Sequence, residues 1–163
     1  GEVVTCGGSM TLAECGIQDL LKSGAYEFLD RTVMDPQEVY RRTFSADVFL
    51  TSANAITEEG ELYNVDGNGN RVASMLYGHQ KVYLVAGRNK LAPTYEEALW
   101  RARNIAAPKN AQRLNRKTPC AVKGDRCYNC KSPERICRGL VVLWGPMMGM
   151  EAEVILVDED LGM

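Results

Sequence analysis

The chain has 163 residues, 45% of them hydrophobic and 25% charged, with a net charge of −2. That length and core-forming content predict one globular domain spanning residues 1–163. No apolar run is long enough to cross a bilayer and no secretory leader opens the chain, which excludes a membrane span and predicts a cytoplasmic protein.

The chain opens on residues 2–5, a strand without an initiating Met, so an N-terminal portion is expected to precede it. This strand runs into Cys6-Gly7-Gly8-Ser9. A helix over 11–22 follows, with Thr11 and Glu14 at capping-box spacing. Leu12, Cys15, Leu20 and Leu21 form its apolar side, and Gly24 ends it. Residues 26–29 make a short strand. Asp35 and Pro36 open the next helix as N-cap and first helical residue, and it ends near Phe44. Residues 48–51 read as a buried strand leading to Ser52-Ala53-Asn54-Ala55. Glu58-Glu59-Gly60 is a polar turn, so residues 56–63 form a hairpin-like excursion.

The central stretch is strand 61–65, the tight loop Asp66-Gly67-Asn68-Gly69-Asn70, helix 71–77, strand 81–86 and the loop Gly87-Arg88-Asn89-Lys90. Val82, Leu84 and Val85 mark the second strand as buried. The lone His79 is expected on the surface, at a turn. A helix over 94–107 carries a capping box at Thr94 and Glu97. Its apolar residues Ala98, Ala102, Ile105 and Ala106 recur at helical spacing. Pro108 kinks or restarts it, with a continuation to Asn115. Residues 118–138 are loop-like. Residues 140–143 and 154–157 are apolar strands, expected to pair as a hairpin across the Met- and Gly-rich linker 146–150. Trp100 and Trp144 are expected as core or interface anchors. Alternating helices and strands predict an α/β sheet with flanking helices.

Two loops suit an anion. Gly7 and Gly8 let backbone N–H groups approach a ligand, and Ser9 adds a hydroxyl. Asn68, Gly69 and Asn70 offer a second cradle, with Arg71 and Lys90 adding charge to the same edge. Asn54 stands just past a strand end, where open α/β sheets place ligands. Plain turns, and an Asn that satisfies local backbone, explain the same residues.

Charge is uneven. Residues 101–138 hold eleven Lys or Arg and two acids, a balance of +9, and the remainder sums to −11. Such a segment suits nucleic acid, a phosphorylated ligand or an anionic metal–thiolate centre; a solvated helix face explains it as well. Four of the six cysteines, Cys120, Cys127, Cys130 and Cys137, lie in it. Cys127 and Cys130 form a CxxC element, with Cys120 and Cys137 placed symmetrically about it. Thiolates at this spacing suit zinc or an iron–sulfur cluster, and spacing leaves the two undecided. Residues 118–138 are therefore expected to be a metal-binding loop. Separate reduced thiols are the alternative. Without a secretory leader, a disulfide framework is not expected.

The stretches Gly7-Gly8-Ser9-Met10-Thr11, Thr51-Ser52-Ala53-Asn54-Ala55-Ile56-Thr57, Gly67-Asn68-Gly69-Asn70-Arg71 and Val85-Ala86-Gly87-Arg88-Asn89-Lys90, with residues 101–114 and 156–162, resemble the lactate-utilisation (LUD) domain family, formerly a domain of unknown function. The chain looks most like its stand-alone, cysteine-containing members. The lactate-operon subunits that define the family often lack that cysteine segment in this domain. The resemblance implies a fold similar to the sugar-phosphate isomerase and CoA-transferase-like superfamily. It also implies a ligand at the carboxyl edge of the sheet, often one carrying phosphate or CoA.

The expected function is binding of a small anionic metabolite or a nucleotide- or CoA-type ligand, in organic-acid (lactate-type) or redox metabolism. Gly7, Gly8, Ser9, Asn54, Asn68, Gly69, Asn70, Arg71 and Asn89 would hold it. Lys90 is the candidate acid–base group, since a partly buried Lys shifts toward neutrality. The alternative is a non-catalytic electron-transfer or assembly subunit carrying an iron–sulfur or zinc centre on the four cysteines. Redox partner proteins and self-association stay open as partners. Nucleic acid is disfavoured, because Tyr128 alone interleaves the basic segment with an aromatic ring.

Overall fold

A computed structural model describes the backbone of residues 1–163 and every side chain except that of Pro36. The strands are β1 (Val3–Cys6), β2 (Glu27–Phe28), β3 (Val48–Thr51), β4 (Ala55–Thr57), β5 (Leu62–Asp66), β6 (Lys81–Gly87), β7 (Leu91–Ala92), β8 (Gly139–Leu143) and β9 (Glu151–Val157). The helices are α1 (Met10–Glu14), α2 (Ile17–Lys22), α3 (Pro36–Thr43), α4 (Asn70–Leu76), α5 (Tyr95–Arg101), α6 (Ala107–Arg113) and α7 (Pro119–Lys123). The chain folds as two compact units. The first comprises Gly1–Ser52, Arg71–Arg88 and Pro146–Gly162; the second comprises Ala53–Asn70, Asn89–Gly145 and Met163.

The first unit is an α/β layer structure built on a five-stranded sheet in the order β2-β1-β3-β6-β9. Every pairing in it is parallel. Parallel strands need their faces covered and so read as near-continuous apolar runs. Strand β6 shows this, with Val82, Leu84, Val85 and Ala86 all buried. Val4, Leu21 and Val48 form one core cluster, with Ile17, Phe28 and Leu50 packed against it. The second unit carries a four-stranded sheet in the order β7-β4-β5-β8. Ala55, Tyr63 and Ala92 of that sheet pack with Ala98 and Ala102 of the helix that follows it. Alanine along that face lets helix backbone approach strand backbone closely. No helix among the described residues is long and apolar enough to cross a membrane.

Side-chain caps open α1, α3 and α5. Asp35 Oδ1 accepts from the backbone N–H groups of Gln37 and Glu38, at 3.0 and 3.1 Å. Thr94 Oγ1 accepts from Glu97 N–H at 3.3 Å and donates to its carboxylate at 3.2 Å, so Thr94 caps α5 as expected. Helix α5 passes through a π-type segment, Ala102–Ala106, before α6 begins. Pro108 has no N–H to give to a helical turn, and the widened turn ahead of it absorbs the lost bond.

The structure corrects four expectations. The helix over 11–22 is two helices, because Gly16 takes a left-handed conformation (φ 70°) between them. Its cap is Ser9, whose Oγ accepts from Leu12 N–H, whereas Thr11 points inward and is fully buried. Strands β8 and β9 do not pair. Strand β8 runs antiparallel to β5, while β9 runs parallel to β6 over all seven residues. The linker between them is long enough to carry the chain from one sheet to another, which periodicity cannot report. Trp100 and Trp144 are exposed, which removes them from the core and leaves the interface half of that expectation.

The fourth correction concerns His79, which is 4% exposed. Its ring stacks on Phe49 at 5.3 Å, and Nδ1 lies 2.8 Å from the Ala46 carbonyl. A carbonyl only accepts, so Nδ1 carries the proton and Nε2 is the bare nitrogen. That Nε2 is buried without a hydrogen-bond partner among the described residues. Burial holds the imidazole pKa below its usual 6.5, against the opposing pull of the Ala46 carbonyl. The unfolded chain therefore takes up the proton first as pH falls, and stability drops below the unfolded value of 6.5. With a single His in the chain, the assignment is unambiguous. We expect the urea midpoint to fall between about pH 7 and about pH 5.5, and His79→Gln to flatten that part of the decline. An unchanged slope in the variant would show that His79 is not its source.

Candidate functional site

In the five-stranded sheet, β1 is followed by β2 on one side and by β3 on the other. The strand order thus reverses between β1 and β3. In open α/β sheets the crevice beyond the carboxyl ends at such a reversal is where ligands bind. Here the two segments leaving that point are Gly7-Gly8-Ser9 and Ser52. Gly7 N–H donates to the Leu50 carbonyl at 3.0 Å, which fixes the turn to β3. Beneath it, Ser52 Oγ lies 3.4 Å from Thr11 Oγ1, and Thr51 is fully buried.

Arg71, from the first turn of α4, reaches this edge. Its Nη1 donates to the Ser52 carbonyl at 2.7 Å. A Cβ on Gly7 would lie 3.6 Å from Arg71 Cδ, so the arginine stem runs alongside the glycine. Arg31, in the loop after β2, covers the other glycine: a Cβ on Gly8 would fall 2.1 Å from its Nη2. The turn thus has the Arg31 guanidinium against Gly8 and the aliphatic stem of Arg71 against Gly7, and a side chain at position 8 would displace that guanidinium. Ser9 Oγ is occupied as an acceptor by Leu12 N–H at 3.3 Å, leaving the hydroxyl proton to donate. Half-buried Cys6 stands behind the turn. Desolvation pushes its thiol pKa up, and Arg31 opposes that shift.

Sequence reading found Gly7, Gly8, Ser9 and Arg71, which the fold brings together within the first unit. It missed Arg31, which carries no motif and lies after the shortest class of strand.

The other expected ligand-binding residues belong to the second unit, and several are engaged in holding backbone. Asn54 Oδ1 accepts from Val65 N–H at 2.7 Å, and its own N–H donates to the Tyr63 carbonyl. Asp66 Oδ1 accepts from the N–H groups of Asn68 and Gly69 at 3.0 and 2.9 Å. The loop thus turns two of its donors onto its own carboxylate, as an Asx-type turn does. Gly69 supplies the positive φ of 82° that the turn needs. Asn70 opens α4. Lys90 ends a 3₁₀ turn, Arg88–Lys90, and is 4% exposed.

Arg101 is the organising residue that sequence reading passed over. It is 7% exposed. Its Nε donates to the Asn89 carbonyl at 2.6 Å, and its Nη1 to the carbonyls of Asn54 and Met163. One buried guanidinium thus ties the Asn54 turn to the segment carrying Asn89 and Lys90. Burial lowers its pKa without approaching neutrality. The available signal was its position on the stripe of Ala98, Ala102 and Ile105. We expect Arg101→Met to cost about 2–3 kcal/mol in urea unfolding, because buried carbonyls lose their donor. A loss within experimental error of zero would mean that water replaces it.

The cysteine segment is irregular apart from α7. All four of its thiols are free and half-buried. Asn129, at φ 44°, points its N–H at Cys127 Sγ at 3.3 Å. Cys127 N–H donates to Asn104 Oδ1, and Thr118 Oγ1 lies 3.3 Å from Cys120 Sγ. Arg135 donates to the carbonyls of Cys137 and Cys130 at 2.7 and 2.8 Å. A hydrogen bond to the Cys137 sulfur, with the fields of Cys130 and Cys127, keeps its pKa above the usual value. Among the described residues no three His, Cys, Asp or Glu side chains are grouped closely enough to share an ion.

The family model described as the LUD domain matches residues 1–157. Among solved structures, the chain is similar to a DUF162 family protein from Deinococcus radiodurans, at 12% identity and a TM-score of 0.44, over 96% of this chain and 88% of that one. No curated protein matches. Because the family model spans nearly the entire sequence, the chain belongs to the LUD domain family.

Proposed function

We propose that this LUD-domain protein binds a small anionic metabolite, carrying phosphate or carboxylate, at the carboxyl edge of its parallel sheet. The ligand class includes nucleotide- and CoA-type molecules, and the setting is organic-acid or redox metabolism. The observation that carries this reading is the Arg31 guanidinium lying against Gly8, with Arg71, its stem along Gly7, bonded to the Ser52 carbonyl at the same sheet edge. Guanidinium groups match the planar oxygen pairs of carboxylates and phosphates, and charge-assisted bonds of this kind are the stronger class. Glycine keeps the backbone low enough for an anion to lie between them. Ser9 donates its hydroxyl to the same ligand. In the second unit, Arg101 holds the segment around Asn54 and Asn89 in place.

Calorimetric titration with inorganic phosphate, a nucleoside phosphate, CoA and a short 2-hydroxy acid tests this. We expect at least one of them to bind, with affinity weakened roughly tenfold or more by Arg71→Met or Arg31→Met. Binding should also weaken as salt rises. An anion that binds equally well to both variants would place its site elsewhere and defeat the proposal.

A further inference from the structure

Arg31 reaches the glycine turn from residues 29–35, a connection between β2 and α3 that holds no helix or strand. One side chain organises it. Asp30 is a buried acid, 8% exposed. Its Oδ1 accepts from Thr32 N–H at 2.8 Å and from Thr32 Oγ1 at 2.6 Å. Its backbone carbonyl accepts from the N–H groups of Val33 and Met34 at 3.2 and 2.9 Å. The residues on the two sides of Arg31 are thus bound to each other, through side chain and backbone alike. Leu29, buried just before them, ties the connection to the sheet by donating its N–H to the Val4 carbonyl at 2.9 Å.

The Arg31 side chain is exposed, so many rotamers are open to it. The backbone it springs from decides which of them bring the guanidinium against Gly8. Burial alone would raise the Asp30 pKa; the bonds from Thr32 and the charge of Lys22, 3.7 Å from Oδ2, outweigh it and hold the carboxyl below its usual value. Besides desolvation, the fields of Arg31, Asp30 and Lys22 act on the Cys6 thiol, which places these charges around the residue preceding the glycines. A carboxylate beside an anion site repels the ligand through space. Its contribution through the loop has the opposite sign.

We infer that Asp30 is a positioning residue of the anion site, which by closing the turn with Thr32 sets the Arg31 guanidinium against Gly8. The inference rests on the anion reading of that edge. It separates two effects of one side chain. Asparagine at position 30 keeps an oxygen that accepts both bonds from Thr32 and removes the charge, so the turn stays and the repulsion goes. Alanine removes both. An acid that acted only through space would give tighter anion binding with either substitution. Positioning gives weaker binding with alanine alone, in spite of the lost repulsion.

The test titrates the full chain with inorganic phosphate and with CoA. We expect Asp30→Asn to bind as tightly as wild type or about twofold tighter, and Asp30→Ala to bind roughly fivefold to tenfold more weakly. In an Arg31→Met background Asp30→Ala should cost nothing further, because the group it positions is gone. Asp30→Ala binding as well as wild type, or adding its full loss to that of Arg31→Met, would overturn the inference. Where Asp30→Ala does not fold, Thr32→Val decides, since it leaves every charge in place: a loss of about threefold, restored by Thr32→Ser, supports positioning, and no loss overturns it. The Gly8 amide resonance reads the same geometry without ligand. It should move in Arg31→Met and in Asp30→Ala and stay in place in Asp30→Asn; a resonance unmoved in Asp30→Ala refutes the positioning even if anions bind. A wild-type chain that binds neither probe while Gly8 responds as expected would defeat the anion reading alone.

Discussion

The first unit depends on the parallel pairing of β6. This strand lies between β3 and β9 and bonds to both. Parallel neighbours cannot be joined by a tight turn, so the chain must leave the sheet and return for each new strand. That constraint sends every carboxyl end in one direction. It gathers the turn after β1 and the residue after β3 on one edge, and it lets α4 deliver Arg71 there. The polar residues that close this edge, Thr11, Thr51 and Ser52, are buried and bonded to one another or to backbone. They act as a floor, and the guanidinium groups stand above it.

The second unit solves a different problem. Its sheet is small, and the turns around it expose carbonyls that burial would strand. Arg101 meets three of them at once. A guanidinium is suited to this because its donors fan out in a plane and it keeps its charge when desolvated. Tyr63, fully buried beneath Tyr95, plays the apolar counterpart and directs its hydroxyl to Glu61 at 3.0 Å. The cysteine segment borrows this rigidity from β5, α6 and the π-type segment, having little of its own.

Sequence reading served well at several places where the determining interactions were local. Asp35 and Thr94 cap the helices they were expected to cap, and the 56–63 excursion closes as the antiparallel pair β4–β5. The α/β sheet and its glycine turn were also legible, because apolar runs and Gly-Gly strings are sequence-visible. The Ser9 cap and the break at Gly16 were local misses; the other failures were long-range. Nothing near Leu140 or Val154 says which sheet each strand joins. His79 is buried by Ala46 and Phe49, thirty or more residues away. The Asn68–Gly69 turn was read as an anion cradle because its composition fits one, but Asp66 beside it supplies the acceptor. Arg31 could not be singled out, since a lone arginine has no periodicity, and Arg101 shows in the sequence only as a charge on the stripe of Ala98, Ala102 and Ile105; the role of each depends on what the fold sets opposite it.

The close approach of Arg31 to Gly8 has a broader implication for how this edge tolerates change. The obstructing atom is the tip of a long flexible side chain, so adding a methyl group at position 8 would leave the backbone intact and swing the guanidinium aside. An uncharged position thus governs where a positive charge rests. Natural variation at residue 8 could retune the electrostatics of the edge while every ionisable residue stayed the same, a form of drift invisible to any tally of acidic and basic residues.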